Sequence, residues 1–571
     1  MRSACRPANG LLSRRALCRV FSVLCLVLSG CGPDRTVYRG GPILTMDADG
    51  RVVEALGIEG DRIGAVGTVE EVLTWAGDAA GQVDLAGRAL LPGFIDAHGH
   101  FPGDGVWAVV VDLRSPPMAD VGDLAELLER LRTRARETPA GEWIVGMGYD
   151  DTLLAEGRHP DRHDLDRASS EHPIAALHVS GHLAALNSAG LAASGIDAST
   201  PDPEGGRIRR EADGRTPDGV LEEQAMASVE ERILAPSPLD SLRIFREATR
   251  RYLAAGVTTA QNGYAPKLQV RALSWLSRLR LLPLRIVLWP EPAVADEILA
   301  DELSVRSTER VRVGAVKLVA DGSIQGYTGY LSEPYHVPPG DDPGYRGYPR
   351  IPHDELVEQV ARYHAAGMQV AIHGNGDASI DDILDALEEA QRRHPRDDAR
   401  PVVVHAQMTR PDQLDRMAAL GAVPSFFSLH TFYWGDRHRR IFMGPERAAR
   451  MSPASSARAR GIRFTIHCDA PIVPMEPLKL VWSAVNRRTR SGFVVGPEER
   501  IDAAQALRAV TIDAAWQHFE EGEKGSLEPG KLADLVILSE SPLDVPAERI
   551  DAIRVIETLV GGRSAWRAEA Q

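Results

Sequence analysis

The stretch Leu91-Pro92-Gly93-Phe94-Ile95-Asp96-Ala97-His98-Gly99-His100 decides how the chain is read. Its apolar half reads as a strand, and its polar half carries two histidines at positions i and i+2. Side chains two apart on a strand point to one side, so His98 and His100 can hold one metal ion just past the strand's C-terminal end. By itself a His-x-His pair serves as often as a hydrogen-bonded structural pair. Here the same ending recurs: His373 follows Val370-Ala371-Ile372, His405 follows Val402-Val403-Val404, and Asp469 lies just after Phe464-Thr465-Ile466. Four histidines and one aspartate that all close apolar runs point to a shared rim rather than to packing.

Working outward, eight apolar runs alternate with helical stretches: 89–95, 257–260, 284–288, 311–319, 369–372, 402–404, 422–426 and 463–466. That alternation is the pattern of a parallel α/β fold, and eight such runs close a TIM (β/α)8 barrel whose active-site residues sit at the C-terminal strand ends. The stretch from Phe101 to about residue 250 is too long for one crossover and holds its own strand candidates, 143–145 and 174–179. It reads as an insertion shaping the substrate entrance. Residues 36–91 read as short β-segments broken at Asp49-Gly50 and Gly60-Asp61, and β-texture returns at 533–538 and 553–560. The two chain ends can therefore complete one small sandwich. The resulting divisions are 36–88 and 525–565 for the sandwich and 89–515 for the barrel, with the insertion at about 102–250.

The 571 residues are 44% apolar and 25% charged, which is ordinary globular composition and excludes a disordered or fibrous protein. The net charge is −15, with no basic patch, so nucleic acid is excluded as a partner. Residues 1–30 contain Arg2, Arg6, Arg14, Arg15 and Arg19, no acid, and the apolar run Val20–Leu28. This is the plan of a secretory signal peptide. Its end, Leu28-Ser29-Gly30-Cys31, resembles a bacterial lipobox, which makes Cys31 the lipidated mature N-terminus; an uncleaved anchor helix is the alternative, for which the run is short. Cleavage takes the 65 basic residues to 60 against 80 acidic ones, a net charge of −20. Cys468 is then the one cysteine left besides Cys31, so no internal disulfide is available. The expected location is the bacterial cell envelope, with a lipid anchor as the sole membrane contact. Gly32 after Cys31, in place of the aspartate linked to inner-membrane retention, favours the outer membrane.

These motifs resemble the amidohydrolase superfamily, and within it the amidohydrolase 3, or YtcJ-like, branch that includes N-substituted formamide deformylases. The resemblance covers nearly all of the mature chain and rests on 91–100, Gly256-Val257-Thr258-Thr259, 317–323, His373-Gly374-Asn375-Gly376-Asp377, Val404-His405-Ala406, His467-Cys468-Asp469-Ala470-Pro471 and 525–534. It implies a distorted (β/α)8 barrel with a small β-sandwich from both chain ends. It also implies a role for Lys317, which from its neighbours alone reads as a snorkelling or ion-paired side chain. In similar proteins a lysine here is carbamylated by CO2 and becomes an oxygen donor bridging two divalent ions. The implied site pairs His98, His100 and Asp469 on one ion with His373 and His405 on the other, with a mononuclear site if Lys317 stays an amine. Zn²⁺ is the default metal, while Mn²⁺, Fe²⁺ and Co²⁺ suit the same ligands.

The chemistry expected of such a site is hydrolysis: a bound water is acidified to hydroxide and attacks a carbonyl polarised by the metal. Asp469 is the expected proton shuttle, carrying the proton from the attacking water to the leaving amine. His467, its neighbour at i−2, reads as structural. His182, Glu222 and His430 match branch motifs and are candidate substrate contacts, each with a structural hydrogen bond as the competing reading. His430 is favoured for its aromatic segment Phe426–Trp434. Asp321 and Asp377 read as loop-ordering carboxylates, and Asp150-Asp151 as side chains pointing apart. The leading expectation is a metal-dependent hydrolase of a non-peptide amide C–N bond in a small molecule. A dipeptidase or lactonase on the same site is one alternative; a non-catalytic surface-binding lipoprotein is another.

Overall fold

The computed structural model describes residues 35–227, 229 and 237–569. The signal segment and Cys31 lie outside them. The fold is mixed α/β, and its site is framed by two parallel sheets. The first contains β1 (Phe94–Ile95), β2 (Val257–Ala265), β3 (Arg285–Pro290) and β4 (Val311–Val313), side by side in that order. The second contains β5 (Val316–Val319), β6 (Val370–Gly374), β7 (Val402–His405), β8 (Val423–Phe426) and β9 (Thr465–Ile466). The run 311–319 is thus two strands, broken where the Gly314 N–H donates back to Leu288 O at 2.8 Å. On the far side the chain after β9 meets the chain after β1: His100 N–H donates to Ala470 O at 2.9 Å and Asp469 N–H to His98 O at 3.3 Å.

These strands are apolar on both faces because both faces are covered. Ile286, Leu288, Leu318, Ile372, Val403, Phe426 and Ile466 belong to the largest core cluster, shared with the flanking helices. The alternating residues Val287, Trp289, Ala371, Val402 and Val404 form a second cluster. Lys317 pairs in register with Ala371, and His373 with Val404.

Strands from both chain ends share one further sheet, in the order 563–567, 555–560, 535–538, 89–92, 35–44, 52–59 and 62–67, with 81–84 paired beside 35–44. The apolar run 89–95 is therefore divided between sheets. Ala89–Pro92 pairs with Leu535–Leu538, and after Gly93 the chain enters β1. Gly93 is required there, since a Cβ would stand 2.2 Å from Thr258 Cγ2. The stretch read as an insertion contains a six-stranded sheet, in the order 206–210, 217–223, 183–186, 174–178, 144–149 and 111–112. No helix among the described residues is long and apolar enough to cross a membrane.

A buried ion pair ties the end sheet to β3. Arg285 Nε and Nη2 donate to the two oxygens of Asp534 at 2.6 and 3.1 Å, and both side chains are almost fully buried. Removing one partner strands a charge, so Asp534→Leu should cost about 3–5 kcal/mol, whereas replacing both by apolar residues should cost far less. Urea unfolding of Asp534→Leu and of Arg285→Met/Asp534→Leu checks this; a double variant as unstable as the single one would contradict it.

Candidate metal centre

Six side chains from β-strand ends meet in one small volume. His98 Nε2 and His100 Nε2 lie 3.4 and 3.3 Å from Asp469 Oδ1. Lys317 Nζ is 3.1 Å from His98 Nε2. His405 Nε2 is 3.1 Å from His373 Nδ1 and 4.0 Å from Asp469 Oδ2. One ligand atom each from His98, His405 and Asp469 fall within 4.8 Å of one another, the spacing of a metal-binding group. The backbone is bent to achieve this. His405 has φ 69° and Asp469 φ 57°, left-handed conformations that cost a non-glycine residue about 1–3 kcal/mol each when held by their surroundings.

Neighbours fix how each ring is presented. His98 stacks on Trp289 with ring centroids 5.5 Å apart, and lies against Gly263, where a Cβ would come within 2.2 Å of its Cε1. His373 Nε2 lies 3.1 Å from Gly322 O and 3.0 Å from Asn375 Nδ2; since Asn375 Nδ2 donates to that same carbonyl at 2.9 Å, the assignment that suits the acceptor-only carbonyl puts the His373 proton on Nε2 and the Nδ1 lone pair toward His405. Asp321 holds the adjoining loop by accepting the N–H groups of Asn375, Gly376 and Tyr330 at 3.0, 2.8 and 2.9 Å.

The electrostatics suit a cation. Burial, followed by the charge of Lys317, keeps His98 well below the usual histidine range. Burial likewise holds His373 and His405 neutral, reinforced by neighbouring cationic groups. Burial pushes Lys317 down to about 7, which makes its free amine accessible near neutral pH. Burial works to raise the Asp469 carboxyl, but its contact with His100 and nearby positive charge outweigh it, and the carboxyl stays ionised far into acid. Asp469 Oδ1 is buried without a hydrogen bond. A divalent ion fits such a set, because imidazole lone pairs and a carboxylate oxygen are its ordinary ligands.

The other candidates separate. His182 stands edge-on to His373 with centroids 5.1 Å apart, and its Nδ1 meets Glu223 Oε2 at 3.0 Å. Glu222 does not join them. It turns to Arg209 and Tyr348, because successive strand residues face opposite ways, and Glu223 takes the position by His182. Glu223 went unnoticed in the sequence for the same reason: nothing there marks which of two adjacent glutamates faces inward. His430 is buried 4.2 Å from Phe427 and 6.3 Å from His405, centroid to centroid, and so walls the site. His467, read as structural, contacts His405: Nε2 lies 3.1 Å from His405 Nδ1. A second group, Asp150, Asp151 and His178, is satisfied internally, with Asp150 on Arg437 at 2.6 Å and Asp151 on His178 at 3.0 Å.

Comparison with known proteins gives the same picture. Residues 82–565 match the amidohydrolase family. The N-substituted formamide deformylase of Arthrobacter pascens is 29% identical over 535 residues, covering 91% of this chain and 96% of that one. The amidohydrolase YtcJ of Bacillus subtilis (strain 168) is 27% identical over 548 residues, 93% of this chain and 99% of that one. The crystal structure of an uncharacterized metal-dependent hydrolase from Pyrococcus furiosus aligns with TM-score 0.69 at 28% identity, covering 89% of this chain and all of that one.

The buried neutral histidines make the metal-free protein acid-sensitive. His98, His373, His405, His430, His438 and His467 all have folded-state pKa values below the ordinary 6.5. Below 6.5 the unfolded chain takes up protons that the folded one refuses, so their contribution to stability is whole above 6.5 and is lost as pH falls. Carboxyls raised by burial, Asp96 and Asp321 to about 7 and Asp104 to about 6, act in the opposite sense, while His159 and His518, lowered by burial to about 3 and about 4, add to the histidine side. The denaturation midpoint of metal-free protein should therefore fall as pH drops from 6.5 to 5; a flat or rising midpoint over that range would contradict this electrostatic account.

Proposed function

Because the chain belongs to the amidohydrolase family, a premise that makes it a metal-dependent hydrolase, we propose that it cleaves a non-peptide amide C–N bond, with N-acyl and N-formyl amides as the substrate class. The observation that carries this reading is the meeting of His98, His100, Lys317, His373, His405 and Asp469 at one set of strand ends. The similarity to an N-substituted formamide deformylase supports the choice of formyl amides. In this reading the two parallel sheets are halves of a distorted (β/α)8 barrel spanning 89–515, and the sheet from both chain ends is a separate small β-sandwich domain.

His98, His100 and Asp469 would hold one divalent ion, and His373 and His405 a second. Lys317, as its carbamate, would bridge them: the free amine adds to CO2, a C–N bond forms, and one proton leaves to solvent. A divalent ion, with Zn²⁺ the first choice for this nitrogen-rich set, supplies Lewis-acid polarisation of a carbonyl and acidifies water. Asp469 would accept the proton of the attacking water and return it to the leaving nitrogen. His182, beside His373, and His430, beside His405, would contact substrate.

The first test uses three compounds: an N-substituted formamide, a dipeptide and a lactone. Formamide turnover should dominate; turnover confined to the dipeptide or lactone would transfer the site to the alternative activity. Lys317→Ala should lower bound metal and abolish turnover, with partial rescue by a short carboxylic acid. Asp469→Asn should keep much of the metal yet lower kcat about a hundredfold to ten-thousandfold, since an amide cannot carry the proton. Near-wild-type kcat in either variant would sink the assigned roles. We also propose that Cys31 anchors the protein in the cell envelope, which predicts that Cys31→Ser moves it from the membrane to the soluble fraction; an unchanged membrane fraction would argue against the anchor.

A further inference from the structure

A line of buried polar groups runs from the backbone beside His98 to the far edge of His405. Gln517 Nε2 lies 2.8 Å from Ala97 O. Gln517 Oε1 lies 2.7 Å from Thr465 Oγ1, which is 2.8 Å from Ser425 Oγ. Ser425 Oγ is 2.9 Å from His467 Nδ1, and His467 Nε2 is 3.1 Å from His405 Nδ1. Ser425, Thr465 and Gln517 have no solvent exposure, so water cannot substitute for any link. Ser425 and Thr465 are register partners on β8 and β9, which places their hydroxyls side by side.

The direction of this line follows from its fixed end. A backbone carbonyl only accepts, so the Gln517 amide must turn its NH2 to Ala97 O and its oxygen to Thr465. Thr465 must then donate its single hydroxyl proton to Gln517. Thr465 Oγ1 is also oriented to donate to Ser425 Oγ, but its one proton is claimed by Gln517, so across that 2.8 Å contact the proton comes from Ser425 and is thereby used. Ser425 can only accept from His467, so His467 carries its proton on Nδ1. With hydroxyl and imidazole as its hydrogen-bond partners, this buried ring is neutral, and its Nε2 must accept from His405 Nδ1–H. His405 is left with a lone pair on Nε2, facing the equally unprotonated Nδ1 of His373 at 3.1 Å. Two facing lone pairs at that distance repel unless a cation lies against them.

We infer that Gln517, Thr465, Ser425 and His467 are positioning residues that lock His405 in the tautomer able to bind metal through Nε2. This revises the reading of His467 as merely structural, and it rests on His405 being a metal ligand. Partners behind a ligating histidine typically carry about 10–100-fold in metal affinity. Thr465→Val, nearly isosteric but without a hydroxyl, removes the direction from the line, while Thr465→Ser retains it. Ser425→Ala is a second break should the valine variant fold poorly.

The test is chelator competition for Zn²⁺ on metal-free full-length protein, with His405→Ala as reference and thermal midpoints recorded alongside. Thr465→Val and Ser425→Ala should bind one ion about 10–100-fold more weakly, and Thr465→Ser should stay near wild type. Wild-type affinity in Thr465→Val and Ser425→Ala, with His405→Ala losing an ion, would overturn the tautomer lock alone. Undiminished binding in His405→Ala would overturn the ligand assignment beneath it.

Discussion

Unprotonated nitrogen lone pairs held face to face in a dry interior are the constraint around which this structure is organised. His405 Nε2 and His373 Nδ1 stand 3.1 Å apart, and the Asp469 carboxylate presents an oxygen with no hydrogen bond beside His98 and His100. The hydrogen-bond line behind His405 keeps that neutral ring's proton on Nδ1, and burial disfavours adding a second one. A divalent cation relieves it fully. The left-handed backbone at His405 and Asp469 belongs to the same arrangement, since strand alternation alone does not turn these side chains into one volume. Strain of about 1–3 kcal/mol at each is tolerable in a chain whose core clusters enclose every site strand.

Rigidity comes from elements distant in sequence. The Arg285–Asp534 pair fixes β3 to the C-terminal strands, and Trp289 at the end of β3 supports His98. The six-stranded sheet contributes Glu223 and the adjoining His182, whose ring stands by His373, while the aromatic segment after β8 brings His430 near His405. Glu223 is clamped twice to His182, which leads into the neighbouring strand 183–186, by its carboxylate on the His182 ring and by its N–H on His182 O at 3.0 Å. Parallel strands thus supply the candidate donors for metal, and the separate six-stranded sheet supplies a polar group beside them.

Much of this was legible in the sequence because the physics is local. Strand runs ending in histidine or aspartate reveal themselves by position, and β-texture at both chain ends marks strands that pair. Three features escaped for reasons that are not local. Gly93 and Gly314 break apolar runs that look continuous, because backbone hydrogen bonds to distant segments, rather than hydrophobicity, decide where a strand changes sheets. Glu222 and Glu223 are indistinguishable until register is known. His467 looks structural beside Asp469, and the groups that give it significance lie at 405, 425, 465 and 517, brought together solely by the fold.

The most direct test of the central claim is anomalous diffraction at the zinc edge from crystals of the full-length protein grown with Zn²⁺ and bicarbonate. The account predicts density about 2.0–2.2 Å from His98 Nε2 and from Asp469, and a second peak at that distance from His373 Nδ1 and His405 Nε2. No peak among these side chains, or a metal bound through Nδ1 of His405, would contradict it.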